Sequence, residues 1–388
     1  MEKTTIYSPG PSNVRENVRL AMAAETTNPD LDPDFFNLYK NMCTNIGKIL
    51  KTENDVFVLS GEGILGLEAA CASLTEYGDR VLIIENGVFG EGFIDFVAMY
   101  GGVHVTFSSD RDKEIDIVAL KKFLDTDSNF KYATVVHCDT PSGVLNPVDK
   151  ICPLLKEYGI LTVVDAVSSI GGEALDVDNS KIDIVVSGSQ KVFSAPPGLT
   201  IVAISDDAYR SIENRESKIK SFYCNLSVWK DYYIDQWFPY TMPVNAINGL
   251  NVAVENILDE GIEEMLDRHK KIANSVRTAF INSGIKLHLS SGHSNTVSVI
   301  ELPADINVDK FLAHIKKRYN LILSGSFGYL SNKVVRIGHM GENARFDKLV
   351  YLLEIINSAL VDLGFTPKSN LVREFIESYF KDEEMATY

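Results

Sequence analysis

The sequence lacks several features that would assign it to a specialised class of protein. Its five cysteines, Cys43, Cys71, Cys138, Cys152 and Cys224, form no CxxC pair, so the spacing indicates neither a metal site nor a disulfide framework. No stretch approaches the roughly 18 consecutive apolar residues that a membrane span needs, and the first residues show no apolar signal segment. Internal repeats and low-complexity linkers are absent as well. We therefore expect a cytoplasmic, soluble protein whose thiols stay buried and reduced.

Positive charge is also scarce. Lys and Arg number 37 against 53 Asp and Glu, which gives a formal net charge of −16. A chain this acidic repels nucleic-acid backbones and anionic membranes at long range, so neither is an expected partner. With 388 residues, of which 45% are hydrophobic and 23% charged, the chain has the composition of a globular protein with about two domains.

Short runs rich in Val and Ile alternate with helical patterns from about residue 55, which predicts βαβ units and a mainly parallel sheet covered by helices on both faces. The predicted strands are 55–59, 80–85, 103–107, 133–138, 161–165, 184–187 and 199–204. Apolar residues at three- and four-residue spacings predict helices over 66–74, 93–100, 118–124 and 148–158.

The pattern changes after about residue 240 and predicts a smaller α+β domain. Long helices over 246–258 and 262–281 precede strands at 296–302 and 334–337, with a helix at 308–318 between them. We accordingly divide the chain into an N-terminal arm (1–14), a large α/β domain (15–245), a connecting helix with the small domain (246–368) and a C-terminal tail (369–388), which we expect to form a surface helix with a frayed end.

Four features of the sequence predict a binding site, and the first two belong to the large domain. The turn Ser60-Gly61-Glu62-Gly63 follows a strand and opens a helix, where free backbone N–H groups and the helix dipole form a cup for an anion or phosphate. Such glycines also serve simply to allow close packing. Asp165 ends an apolar strand at the edge where α/β sheets bind ligands, although an Asp there also serves as a helix cap.

The other two features are basic residues in apolar surroundings. Lys191 follows the strand 184–187 in a turn of small residues that ends in Pro196-Pro197-Gly198, where desolvation would lower its pKa and make the amine a nucleophile for a Schiff base. Arg336 lies inside the apolar strand 334–337, so it needs an anionic partner, which is either a substrate carboxylate or an Asp or Glu of the chain.

Together these features fit one cofactor, pyridoxal 5′-phosphate. It needs an amine for its aldehyde, a carboxylate for its pyridinium nitrogen and a phosphate site. Lys191, Asp165 and the turn around Gly63 would supply these three groups.

The sequence also resembles the class V (fold type I) aminotransferases of the alanine:glyoxylate and serine:pyruvate type, from residue 8 to about residue 341. The motifs that carry the resemblance are PGPSN at 9–13, SGEG at 60–63, NGVFG at 86–90, SG at 142–143, VDAVSSIGG at 164–172, SGSQKVFSAPPG at 187–198 and RIG at 336–338. The resemblance implies a fold type I architecture and transamination between a small amino acid and a 2-oxo acid such as glyoxylate or pyruvate.

The resemblance further implies a role for individual residues. Lys191 would form the Schiff base with the cofactor, and Asp165 would pair with the ring nitrogen. Arg336 would bind the substrate carboxylate, with Gly10 of the PGPSN motif on the substrate side. The remaining positions would surround the cofactor: N–H groups of Gly63 and Ile64 and the side chain of Gln190 at the phosphate, Thr140 near the ring hydroxyl, Val167 beneath the ring, Phe89 above it, and Thr241 at the phosphate of the neighbouring subunit of a homodimer.

Two positions depart from the family pattern. Glu62 stands where the family usually has Ser or Thr, and a carboxylate that faces a phosphate dianion repels it. We expect either that Glu62 points away or that the cup is weak. Phe238 replaces a frequent Tyr and so removes a hydroxyl from the phosphate side.

Three alternatives stay open. An aminophosphonate or ureido substrate is compatible with Arg336, because a guanidinium accepts phosphonate as readily as carboxylate. A cysteine desulfurase or related β-lyase is disfavoured, since Gln190 rather than His precedes Lys191 and no Cys follows Cys224. A non-catalytic protein of the same fold would have had no need to keep Lys191 and Asp165.

Overall fold

The computed structural model describes residues 4–385, and within them the elements alternate as the sequence predicts. The strands are β1 (Thr5–Ile6), β2 (Asp55–Ser60), β3 (Arg80–Glu85), β4 (Val103–Ser108), β5 (Tyr132–Val136), β6 (Cys138–Asp139), β7 (Val144–Leu145), β8 (Leu161–Asp165), β9 (Ile184–Gly188), β10 (Leu199–Ile204), β11 (Lys286–Leu287), β12 (Val297–Glu301), β13 (Leu321–Ile322) and β14 (Val334–Gly338).

The helices cover the faces of these strands and extend the predicted segments at their ends. They are α1 (Glu16–Met22), α2 (Pro33–Leu50), α3 (Gly63–Leu74), α4 (Val88–Met99), α5 (Ile117–Thr126), α6 (Val148–Glu157), α7 (Asp206–Glu213), α8 (Tyr232–Asp235), α9 (Val244–Glu260), α10 (Ile262–Asn282), α11 (Val308–Tyr319), α12 (Phe346–Asp362) and α13 (Leu371–Met385). Short 3₁₀ turns lie at Leu226–Trp229, Gly328–Leu330 and Gly341–Asn343. No helix between residues 4 and 385 is both long enough and apolar enough to cross a membrane.

A seven-stranded sheet forms the centre of the described large domain, in the order β2-β10-β9-β8-β5-β3-β4. Every pairing in it is parallel except those of β10, which runs antiparallel to both β2 and β9. The predicted strand 133–138 is wrong at its end, since β5 stops at Val136 and the next two-residue strand β6 pairs with β7 instead. The side chain of Asn146 donates to the Val136 carbonyl at 2.8 Å and so replaces a strand partner at this break.

A second apolar core lies in the C-terminal part of the chain, around the three-stranded sheet β11-β12-β14. It takes in residues from both ends of the described chain: Tyr7 of the arm is 1% exposed, and Leu371 and Phe375 of α13 are fully buried. The described part of the predicted tail helix is therefore packed along one face, and the predicted frayed end at residues 386–388 lies outside the described residues. Strand β1 pairs with β13, which joins the arm to this core. The proposed domain boundaries themselves stay predictions.

The fold brings the C-terminal ends of β2, β8 and β9 to the start of α3. Helix α3 crosses the sheet at close range, because a Cβ on Gly66 would lie 2.4 Å from the Thr200 Cγ2 atom of β10 and 2.7 Å from Val186 Cγ1 of β9. This contact confirms that one glycine near the turn serves close packing. It also places the first turns of α3 close to β9, which the turn that carries Lys191 follows.

Candidate active site

A cavity of about 160 Å³ opens at this edge of the sheet. Because one buried water needs only roughly 10 to 15 Å³, the cavity has room for a small organic molecule. Most of the predicted cofactor residues line it. The lining residues are Glu62, Ile64, Leu67, Phe89, Cys138, Thr140, Asp165, Val167, Ser168, Gln190 and Lys191.

Lys191 presents its amine at this cavity, in the turn that follows β9. Burial, together with the nearby positive charge of Arg336, lowers the pKa of Lys191 from 10.5 to about 8, against the opposing charges of Asp165 and Glu62. The Nζ atom donates a hydrogen bond of 2.6 Å to the carbonyl oxygen of Pro9 in the N-terminal arm. An amine with this pKa is partly neutral near physiological pH, which is what a nucleophilic lysine requires.

Asp165 ends β8 and is 4% exposed. Burial raises the pKa of its carboxyl group to about 7, and a hydrogen bond of 2.9 Å from the Val167 backbone N–H opposes this rise. The negative charge of Asp139 raises the pKa further. Within the described residues no cation lies within 4 Å of this carboxylate, and the more distant positive charge of Lys191 opposes the rise in pKa without cancelling it.

The cup at the start of α3 contains a carboxylate of the chain itself. Glu62 is the N-cap residue of α3, and its Oε1 atom accepts a hydrogen bond of 3.1 Å from the Ile64 backbone N–H. Its Oε2 atom accepts a second bond of 3.2 Å from the Gln190 side-chain amide. Of the two alternatives expected for Glu62, the one in which it points away from the cup does not hold, and the alternative of a weak phosphate cup stays a prediction. Gly63 is held tightly below it, since a Cβ there would lie 2.8 Å from a Val167 methyl group.

The walls of the cavity hold the three residues that the resemblance assigns to the ring. Phe89 lies in the first turn of α4 and meets the ring of Phe327 edge to face at 5.8 Å, while Thr140 and Val167 follow β6 and β8. Sequence reasoning missed Asp139, which accepts hydrogen bonds from the Phe89 backbone N–H at 3.0 Å and from the Ser142 hydroxyl at 2.7 Å. Its position next to Thr140 and before the SG motif is the signal that could have identified it.

Arg336 lies beside the cavity in the middle of β14. Its Nε atom donates to the Gly325 carbonyl at 2.6 Å, one terminal nitrogen donates to the Thr140 carbonyl at 3.4 Å, and the guanidinium lies over the ring of Phe327. Burial lowers the pKa of Arg336 to about 10. No carboxylate of residues 4–381 lies within 4 Å of the guanidinium, so the alternative of an internal salt bridge finds no partner among these residues.

The remaining predicted residues lie at the edge of the site or outside it. Gly10 packs directly on Lys191, because a Cβ there would lie 2.5 Å from the lysine Cδ atom. Thr241 is exposed and does not line the cavity of its own chain. Phe238 is a core residue that stacks on Phe36 at 4.3 Å, while the hydroxyl of Tyr240 accepts a bond from the Ser60 backbone N–H at 3.3 Å.

Comparisons with known proteins find similarity over almost the whole chain. The family model described as "Aminotransferase class-V" matches residues 11–323. An uncharacterized aminotransferase of Methanocaldococcus jannaschii is 35% identical over 98% of both chains. The pyridoxamine–pyruvate transaminase of Mesorhizobium japonicum is 33% identical over 92% of this chain and 91% of its own length. The crystal structure of ureidoglycine–glyoxylate aminotransferase from Bacillus subtilis superposes with a TM-score of 0.93 at 25% identity and covers 98% of both chains.

Proposed function

The chain belongs to the class-V aminotransferase family, and from that premise we propose that it transfers an amino group from a small amino acid of the alanine or serine type to a 2-oxo acid such as glyoxylate or pyruvate. The observation that carries the proposal is the placement of Lys191, whose buried amine has a pKa of about 8 and borders the same cavity as Asp165. Transamination needs an amine that exchanges protons near neutral pH.

The cofactor in this proposal is a pyridoxal ring of the pyridoxal 5′-phosphate type. When bound, such a ring acts as an electron sink for the electrons released as the substrate Cα loses its proton. The ring half of the cofactor fits the residues present, because Asp165 is a buried acid with no described cation within 4 Å and a protonated ring nitrogen would supply one at close range. The phosphate half does not fit, because the Glu62 carboxylate occupies the cup.

The chain's own residues would divide the remaining work. Lys191 would hold the ring through its amine and then take and return the proton at the substrate Cα. Arg336 would bind the substrate carboxylate with N–H groups that Gly325 and Thr140 leave unused. Phe89 and Val167 would enclose the ring and keep water from it, and Thr140 would lie near its hydroxyl group.

We also propose a homodimer in which Thr241 reaches the site of the partner subunit, and a cytoplasmic location. The exposure of Thr241 outside its own cavity supports the first. Five free, buried cysteines support the second, because a reducing compartment keeps such thiols intact.

A panel of amino donors with glyoxylate and pyruvate tests the proposed reaction. Alanine or serine should transfer the amino group, borohydride should trap the ring on Lys191, and Lys191→Ala should abolish both. Turnover of an aminophosphonate or ureido donor in place of alanine and serine would select the first alternative, and sulfide release from cysteine would select the β-lyase. Full activity of Lys191→Ala would refute the proposal.

A second candidate keeps the reaction type and changes the amino donor. The Mesorhizobium relative is named for transfer from pyridoxamine to pyruvate, and the Glu62 carboxylate in the cup favours a ring without phosphate here. In that reaction the amino group would leave the 4′-carbon of pyridoxamine for C2 of the 2-oxo acid. The 2-oxo acid would exchange its carbonyl oxygen for the amino group and become an amino acid, while pyridoxamine would become pyridoxal with a carbonyl oxygen. The oxidation of pyridoxamine is thus balanced by the reduction of the 2-oxo acid, and no external oxidant is needed.

A further inference from the structure

We propose that Glu62 selects a pyridoxal-type ring with a free 5′-hydroxymethyl group, so that the cavity binds pyridoxal and pyridoxamine in preference to their 5′-phosphates. The inference rests on the proposed function, in that it assumes that the ring binds between Lys191 and Asp165. It concerns the other end of the cavity, where the ring's 5′-substituent would lie.

The first support is that two of the expected phosphate donors already have an anionic partner. Two of the groups that the resemblance assigns to the phosphate are the Ile64 backbone N–H and the Gln190 side chain. The Ile64 N–H donates to one Glu62 carboxylate oxygen at 3.1 Å, and the Gln190 amide nitrogen donates to the other at 3.2 Å. A phosphate at this place would have to displace the chain's own carboxylate from both.

The second support is the charge of the cavity. Among the described lining residues the titratable carboxyl groups are Glu62 and Asp165, and the cation is Lys191 at the aldehyde end of the site. The negative charge of Glu62 acts on the groups at the other end of the cavity, since it raises the pKa of both Asp165 and Lys191. A phosphate ester next to Glu62 would add about 1.5 to 2 negative charges at neutral pH. No arginine and no second lysine lines the described cavity to balance these charges.

The third support is an unsatisfied acceptor. Gln190 is 7% exposed, and its Oε1 atom is buried without a hydrogen-bond partner among the described residues. A phosphate dianion presents only acceptor oxygens and cannot satisfy another acceptor. A hydroxymethyl group has one O–H donor and two lone pairs, so it can donate to the Gln190 oxygen or to the Glu62 carboxylate.

Direct binding to the purified full chain tests the inference without relying on activity. Pyridoxal and pyridoxal 5′-phosphate are titrated separately and followed by absorbance, and borohydride reduction with mass analysis then identifies the adduct on Lys191. Pyridoxine and pyridoxine 5′-phosphate, which lack the aldehyde, report the same choice without any covalent bond. We expect the unphosphorylated member of each pair to bind at least about tenfold more tightly, since like charges at close range repel strongly in a partly buried site.

Three variants assign the preference to Glu62. Glu62→Ser removes the carboxylate and should shift the ratio of the two dissociation constants by about tenfold or more toward the phosphate, while Glu62→Gln keeps the size and should shift it partway. Glu16→Ser is the matched control, because Glu16 is an exposed acidic residue in the first turn of α1, and it should leave the ratio unchanged.

The outcomes separate this inference from the proposed function. Tighter binding of the phosphorylated ring by the wild type, or an unchanged ratio in Glu62→Ser, would overturn the role of Glu62 and leave the aminotransferase proposal standing. If neither the phosphorylated nor the unphosphorylated ring reacts with Lys191, both the role of Glu62 and the aminotransferase proposal are overturned.

Discussion

Asp165 and Lys191 show that burial at one site shifts the pKa of an acid and a base in opposite directions. Burial raises the pKa of Asp165 to about 7 and lowers that of Lys191 to about 8. Each shift favours the neutral form, because a charge in a poorly solvated place lacks the water that stabilises it. The ionised form of Asp165 is therefore destabilised here, and a protonated ring nitrogen would compensate its charge.

We expect the ligand-free Asp165→Asn variant to be more stable than the wild type at pH 8, by on the order of 2 to 4 kcal/mol. The pKa of Asp165 is raised in the folded state. Its contribution to the free energy of unfolding is therefore fully present at a pH below 3.8, the pKa in the unfolded chain, and is lost as the pH rises through the folded-state pKa of about 7. Asn stays neutral, so the advantage of the variant should shrink as the pH falls from 8 to 5. Urea unfolding at several pH values measures this difference.

The same variant should lose activity, because Asn cannot keep a proton on the ring nitrogen. A fall in kcat of less than about threefold, roughly 0.6 kcal/mol, would contradict the pairing of Asp165 with the ring and would support a capping role. A stability difference that does not change with pH would contradict the raised pKa.

Arg336 is expected to act on substrate affinity rather than on folding. Arg336→Ala should lower kcat/KM about a hundredfold, since charge-assisted hydrogen bonds contribute about 1.5 to 3 kcal/mol each. Arg336→Lys should recover part of the loss, because it keeps the charge and loses the planar fork. Steady-state kinetics and ring content are measured together, and the ring content should not change. Normal kcat/KM with a lower melting temperature in both variants would instead assign Arg336 to the stability of the fold.

At the residue scale the sequence predicted which side chains gather here and left their orientation open. The types and order of Asp165, Lys191 and Arg336 predicted a pyridoxal site, and the structure brings Asp165 and Lys191 to one cavity with Arg336 beside it. Glu62 was recognisable as a departure, yet its direction depends on the extended backbone of the N-cap, with φ −83° and ψ 174°. That conformation turns the carboxylate back onto the Ile64 N–H, and the residue type alone does not determine it.

At the scale of elements, the start of α3 is fixed by its contact with Val167, which lies just after β8. We expect Gly63→Ala to lower the free energy of unfolding by roughly 1 to 3 kcal/mol, because the new methyl group would lie 2.8 Å from Val167 and a β-branched side chain has little freedom to move. It should also weaken ring binding, since α3 and Val167 both line the cavity.

Gly92→Ala is the matched control for this prediction. Gly92 lies inside α4, and a Cβ there meets no atom within 4 Å. Alanine should therefore stabilise the helix by roughly 0.5 to 1 kcal/mol, as measured by urea unfolding. Equal stability of the two variants would mean that α3 adjusts without strain.

Two elements show why the prediction of the fold was incomplete. Helix α2 was missed although its start is signalled by Asp32, which caps the helix, and by Pro33 in its first turn. Strand β10 was predicted as one more buried strand, because its apolar sequence looks the same in either direction. Its antiparallel direction follows from the short connection between β9 and β10, since a parallel crossover needs about a dozen residues or more.

At the scale of the whole molecule, the proposed dimer makes a prediction about mixed subunits. Lys191→Ala and Thr241→Arg should each be inactive as a pure protein if Thr241 serves the partner's site. Mixing them by reversible dissociation should restore up to about a quarter of wild-type activity, because half of the dimers are mixed and each has one intact site. No recovery in a sample that sedimentation shows to contain mixed dimers would place Thr241 in the site of its own chain.

The N-terminal arm connects the two cores through a very short length of chain. Tyr7 is fixed to the small core by backbone bonds to Ile322 and Gly338 of 2.9 Å each, and two residues later the Pro9 carbonyl accepts the bond from Lys191. Two residues span at most about 7 Å when fully extended. If the two cores move apart by more than these two residues can span, the arm must either release the lysine amine or detach from the small sheet. The length of this segment therefore limits how far the cleft can open while Lys191 stays bound to the arm.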